Sequence, residues 1–175
     1  LSPEQLLAVL EHAVAASAPG ATPGQFPQVG GLAFSFDPAR APGDRVRSAA
    51  LLDDSGAPAT ALVVEGQLAE AAPTAIRTVT LGFLAGGGDG YPFQEFADAN
   101  PAFADRVRLA KPDDAPRSGA ATFAPDGSEQ DALAEHLHAR YADETPFAAP
   151  ETPPAEDYRI QDLSVRRDAV HAGGR

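Results

Sequence analysis

At 175 residues the chain fits one domain, large enough to bury a core without a covalent staple. It has no cysteine, which excludes disulfides, thiolate catalysis and Cys-ligated zinc, and no run of ~18 apolar residues, so no membrane insertion is expected. Thirteen basic against 25 acidic residues give a formal net charge of −12, with Lys111 the only lysine; such a surface repels phosphate backbones and anionic membranes, so no nucleic acid partner is expected either. Solubility is the ordinary reason for such acidity, and a saline or extracellular habitat is the alternative.

The chain opens on a helix start without Met or a basic-then-apolar leader, as a processed protein or an excised domain would. Ser2 is placed to cap, Pro3 takes the first helical position and Gln5 closes a capping box. Leu6, Leu7, Leu10 and Val14 follow at helical spacing, and Pro19-Gly20 ends the run. A Gly/Pro loop crosses residues 22–31. Leu32, Phe34 and Phe36 alternate with small or polar residues, the pattern of a half-buried strand. After a turn over 38–44, residues 45–52 predict a second strand, and Asp53-Asp54-Ser55-Gly56 a tight turn. Residues 62–64 and 76–81 predict further strands, the second entering Gly86-Gly87-Gly88-Asp89-Gly90. An aromatic segment, partly helical, spans 91–100, and residues 111–127 predict a long surface loop. Ser128 caps a helix to Tyr141 with a Leu133, Leu137, Tyr141 stripe. Residues 145–154 hold four prolines and must be extended, and 158–166 predict a final strand. There are no internal repeats.

Two segments carry candidate chemistry. In Gly24-Gln25-Phe26-Pro27-Gln28-Val29-Gly30-Gly31, Phe26 is a loop aromatic bracketed by glycines, and such a residue is more often a plug over the core than a ligand platform. In Phe83-Leu84-Ala85-Gly86-Gly87-Gly88-Asp89-Gly90-Tyr91, four glycines around one Asp make a backbone that can approach a ligand closely. The bland reading is a turn in which Asp89 caps its own amides. The run lacks the Lys-Ser/Thr of a phosphate-cradling P-loop, the periodicity of calcium-binding nonapeptides and the spacing of a dinucleotide fingerprint. No Asp-x-His, Asn-His-Glu or Gly-His-x-His pattern occurs. His136 and His138 lie two apart on a helix and point apart, so a solvated surface is expected there. His12 and His171 have no partner pattern, so the residues themselves offer no metal site.

Those two segments, with Asp37-Pro38-Ala39-Arg40-Ala41-Pro42-Gly43-Asp44-Arg45-Val46 between them, resemble the C-terminal, substrate-binding domain of the 5′-nucleotidases, a family that includes periplasmic UDP-sugar hydrolases and animal ecto-5′-nucleotidases. The resemblance covers roughly residues 5–110, and the tail (Glu129 to Leu133, Arg159 to Leu163) looks like the extension of bacterial members. It implies an α/β (α+β) fold of mixed sheets with outer helices, in a four-layer α/β/β/α arrangement from which this chain can lack the first strands. Residues 1–110 would form the domain core and 111–175 an extension packing on it. It implies that Phe26 and Phe83 sandwich a nucleobase, that Asp89 accepts from ribose hydroxyls, and that Gly87 and Gly88 supply the backbone beside the ligand.

The physics agrees: base–aromatic stacking tolerates any base, and a carboxylate, as an acceptor, suits a vicinal diol. Leu81-Gly82 stands where family members commonly place Asn or Asp before the second Phe. By the same resemblance, no catalytic residue lies in this chain. A calcineurin-like metallophosphatase domain upstream would carry two divalent metal ions, the catalytic His and the phosphate-reaching arginines. The expected function is recognition of a nucleoside monophosphate for hydrolysis to nucleoside and phosphate, in the periplasm or outside the cell. The alternatives are a stand-alone nucleotide-binding module and the substrate domain of a related UDP-sugar or cyclic-nucleotide phosphohydrolase.

Overall fold

The N-terminal helix is set by its cap. In the computed structural model, which describes residues 1–21, 23–100, 106–107, 115–141, 145–148 and 158–172, helix α1 runs Pro3–Val14. Ser2 Oγ accepts from the Gln5 amide at 3.2 Å and Gln5 Oε1 accepts from the Ser2 amide at 2.9 Å, so two of the helix's orphan donors are satisfied reciprocally. The other end is held by a cation: Arg45, itself buried, donates from one guanidinium nitrogen to the Val14 carbonyl at 2.7 Å and the Ser17 carbonyl at 2.9 Å.

Five strands follow: β1 (Leu32–Phe36), β2 (Val46–Leu52), β3 (Pro58–Val64), β4 (Gln67–Leu68) and, from the far end of the chain, β5 (Ile160–Asp162). They form one mixed sheet in the order β4-β3-β2-β1-β5, antiparallel except for the β1–β5 pair. The β3–β4 hairpin turns at Glu65 and Gly66, both at positive φ (51° and 82°), the two-residue turn whose twist matches its strands. The pairing of β1 with β2 slips by one residue between Ser35 and Phe36, which sets Arg47 out as a bulge. The architecture is α+β, as the sequence leads one to expect.

One sheet face, carrying Leu32, Phe34, Phe36, Val46 and Ala49, packs against Leu6, Leu10 and Val14 of α1. Each fully buried side chain of this size contributes about 1.5–3 kcal/mol, so helix and sheet hold one another in place. The expected alternation of β1 is not what the strand adopts: all five residues are buried. The chain's own tail covers the second face. Val170 packs on Ala33 and Ala50, and Asp168 Oδ2 accepts from the hydroxyls of Ser35 and Ser48, both at 2.7 Å. Ala33 and Ser35 are small, which is why they look like an outward face in the sequence although they lie beneath the tail.

The strand expected over 76–81 does not form. Ile76 exchanges both backbone hydrogen bonds with Leu1, at 2.7 and 2.8 Å, but among the described residues 77–81 have no strand partner, and Val79 and Leu81 are exposed. Instead the chain enters a short helix α2 (Gly82–Ala85), a 3₁₀ turn (Gly88–Gly90) and helix α3 (Phe93–Ala99). Phe93 and Phe96 of α3, with Tyr91, pack on Val9 and Ala13, so α1 is covered by the sheet on one side and by this segment on another.

The chain divides into two compact units, residues 1–104 with 154–175, and residues 105–153. In the second, Ser118 is tied to Asp126 through its amide and hydroxyl, and helix α4 (Glu129–Arg140) is capped by Ser128, which accepts from the Asp131 amide. The apolar stripe of that helix is not buried: Leu133 and Leu137 are exposed, and Tyr141 meets the exposed Phe147 edge-on at 5.5 Å. Periodicity shows where a helix's apolar face lies but not what covers it. The 110/111 boundary and residues 149–154 of the proline-rich stretch lie outside the described residues.

Candidate functional site

Phe83 begins at the N-terminal end of α2, and its ring is exposed. The chain then curls back beneath that ring: a Cβ built on Gly88 would lie 2.5 Å from the Phe83 Cε1 and Cζ atoms, so the ring rests directly on the Gly88 backbone. The curl needs left-handed residues. Gly87, Asp89 and Gly90 have φ of 88°, 53° and 76°, a region open to glycine and tolerated by Asp. Asp89 is exposed, and among the described residues its carboxylate makes no hydrogen bond, so the turn does not use it to cap its own amides. Its charge is felt locally. Burial pushes the Tyr91 hydroxyl above its usual pKa, and the nearby Asp89 carboxylate pushes it further the same way.

Phe26 lies on the other segment. Its ring is half-buried, packs on the core and meets Phe36 edge-on, with ring centroids 6.1 Å apart. It therefore has features of both readings weighed for it: its inner edge plugs the core and its remainder stays accessible. On its open side a groove of about 580 Å³ runs past Phe26, Val29, Phe36, Arg159, Ile160 and Asp162. Phe83 and Asp89 do not line that groove, so the concavity beside Phe26 and the exposed ring on Gly88 are distinct features.

What joins the two segments is a closed set of polar contacts. Tyr91, two residues after Asp89, donates its hydroxyl to the Gln25 carbonyl at 2.6 Å, and Gln25, the residue before Phe26, donates its side-chain amide to the His12 carbonyl at 2.9 Å. His12 completes the circuit. Its Nε2 lies 2.8 Å from the Asp89 carbonyl, and since a carbonyl only accepts, Nε2 carries the proton. The imidazole also meets the Tyr91 ring edge-on, with centroids 4.9 Å apart.

Sequence reasoning missed His12, because its partner lies 77 residues away and no local pattern announces it. His171 is likewise engaged, its Nε2 2.8 Å from the Val63 carbonyl, and His136 meets the ring of Tyr141. Among the described residues no group of three His, Cys, Asp or Glu side chains is placed to hold a metal ion.

The model of the family described as "5′-nucleotidase, C-terminal domain" matches residues 1–97, more than half of the chain, and takes in α1, the Phe26 loop, four strands and the glycine loop. The chain belongs to this family. Among solved structures, this 5′-nucleotidase C-terminal domain is similar to a 5′-nucleotidase precursor from Thermus thermophilus, at 23% identity and a TM-score of 0.53, over 93% of this chain and 24% of that one. At that identity the likeness speaks for the fold, and the chain spans about a quarter of the length of the protein it matches. No curated protein sequence matches it. Phe26, Phe83, Gly87, Gly88 and Asp89 all fall within the matched residues.

Proposed function

We propose that this domain is the nucleotide-binding part of a 5′-nucleotidase, holding the base of a nucleoside monophosphate between Phe26 and Phe83 and its ribose hydroxyls on the Asp89 carboxylate, while hydrolysis takes place on a metallophosphatase domain of the same protein upstream. The observation that carries this reading is the circuit of His12, Gln25 and Tyr91, which ties the Phe26 loop to the loop bearing Phe83 and Asp89 although 57 residues separate the two aromatic positions.

Each group suits its role. Phe83 offers an exposed ring face whose position on Gly88 is set by the backbone. Asp89 offers an acceptor free of internal hydrogen bonds among the described residues. Gly87 and Gly88 carry no side chain to obstruct a ligand beside them. In the upstream domain two divalent metal ions would activate water and polarise the phosphoryl group. The residues of this chain bind and orient, and orientation is what converts affinity into rate. Periplasmic or extracellular action belongs to the same proposal.

The test is kinetic. In the full-length protein, Phe83→Ala should raise KM for a nucleoside monophosphate by roughly one to two decades, since stacking is worth ~1–3 kcal/mol per base. An unchanged KM would mean that the base is held elsewhere.

A further inference from the structure

None of the three side chains in the circuit that joins the two loops stacks on a base or faces a sugar in the reading above, but one of them, His12, makes a direct hydrogen bond to the Asp89 backbone. Asp89 is held at φ 53°. For a residue with a Cβ this conformation costs on the order of 1–2 kcal/mol and persists only where its surroundings impose it. Backbone hydrogen bonds from Gly90 to the Gly87 carbonyl at 3.2 Å and from Tyr91 to the Gly88 carbonyl at 3.1 Å frame the turn, and the side-chain contacts on it come from His12. Nε2–H donates to the Asp89 carbonyl at 2.8 Å. The imidazole lies against the next residue, so that a Cβ on Gly90 would be 3.1 Å from His12 Cε1. The His12 carbonyl in turn receives the Gln25 amide, which secures the neighbouring Phe26 loop to the same turn of α1. Because α1 is fixed by its cap at one end, by Arg45 at the other and by the core along its length, His12 presents its ring from a rigid support.

We infer that His12 is a positioning residue for the sugar end of the bound nucleotide: by donating from Nε2 to the Asp89 carbonyl it keeps Asp89 in the left-handed conformation in which its carboxylate meets the ribose diol. The inference rests on the proposed role of Asp89 and adds a residue that acts through it. Without the donor, the Asp89 peptide loses the contact that fixes its carbonyl, and the carboxylate beyond it is less well aimed. The Phe83 seat on Gly88 does not involve His12. The effect should therefore fall on recognition of the sugar more than on recognition of the base.

That difference is measurable. In the full-length protein, kcat/KM is compared for a ribonucleoside 5′-monophosphate and its 2′,3′-dideoxy analogue. His12→Ala should lower the ribo-to-dideoxy preference roughly tenfold, the order of one hydrogen bond to a charged group, with the change in KM more than in kcat. His12→Gln, which returns an amide donor, should recover most of the preference. His12→Phe keeps a ring against Tyr91 without a donor, so it should behave as His12→Ala and also covers the case in which the alanine variant fails to fold.

Equal losses on both substrates, or full preference in His12→Phe, would overturn the inference and leave His12 a packing residue. Asp89→Ala separates the two levels of the argument. If it leaves the preference intact, the sugar role of Asp89 is wrong and the proposed function fails at that point. If it abolishes the preference while the His12 variants keep it, the inference alone fails.

Discussion

At Gly88 a Cβ would lie 2.5 Å from two carbons of the Phe83 ring, closer than bonded geometry elsewhere in the loop can relieve without moving that ring. The φ of Gly88 is not in the left-handed region, and Phe83 is exposed, so the ring can swing aside at little cost to folding. Gly88→Ala should accordingly change unfolding stability by less than about 1 kcal/mol while raising KM for a nucleoside monophosphate severalfold, towards the value for Phe83→Ala. Chemical denaturation and steady-state kinetics on the same preparation check both halves. A large stability loss, or a KM that does not move, would show that Gly88 does not serve as the seat of the ring. Gly87 differs: at φ 88° any side chain is strained there, so a substitution would confound folding with binding.

Among the elements, the C-terminal tail is tied to the sheet by the Asp168 carboxylate as well as by the packing of Val170 and the His171–Val63 contact. Burial alone would raise the pKa of Asp168, but the hydroxyls of Ser48 and Ser35, the Val170 amide and the charge of His171 together bring it below the ordinary carboxylate value. A carboxylate whose folded pKa is depressed contributes stability that is fully present above its unfolded pKa, about 3.9, and is lost as pH falls through the lower folded value. Asp168→Asn should therefore cost about 1 kcal/mol at neutral pH, a figure reduced for the residue's partial exposure, and the gap to the parent protein should close below about pH 4. Thermal unfolding of the two proteins across pH 3–7 reads this directly, and a gap that persists undiminished at the acid end would exclude the carboxylate as its source.

The same scale shows how much the sequence made legible. Ser2 to Gln5 announce α1 because capping is decided within four residues. The Asp53 turn is equally readable, since Asp53 Oδ1 accepts from the amides of Ser55 and Ala57 a few residues away. Residues 76–81 read as a strand because a strand's composition is local, whereas its existence depends on a neighbour that only Ile76 finds, in Leu1. The tail over Ser35 and Ser48 is invisible for the same reason, as Asp168 lies 133 and 120 residues from its partners. At the candidate site the residues proposed to meet the nucleotide stand out as motifs, and those that hold the motifs together do not. His12 and Glu11 are adjacent in α1, and Glu11 accepts from the amides of Gly43, Arg45 and Val46 at 3.1, 3.0 and 2.7 Å, an anchoring role no spacing rule predicts.

Across the whole molecule, membership of the 5′-nucleotidase C-terminal domain family and an α+β fold agree with a chain whose surface is set against polyanions by a net charge of −12. Besides its one phosphate, which the proposal leaves to the upstream domain, a mononucleotide offers one flat base and one diol, which two aromatic rings and one carboxylate can engage without a cationic surface. The central claim is that the base lies between Phe26 and Phe83, and the most direct measurement is proton NMR of adenosine titrated with this chain and with its Phe26→Ala and Phe83→Ala variants. Held between two ring faces, the adenine H2 and H8 protons should move upfield in proportion to the bound fraction. Each single variant should reduce that shift and weaken binding roughly tenfold or more. Base protons that do not move, or that move equally with either ring removed, would contradict the clamp.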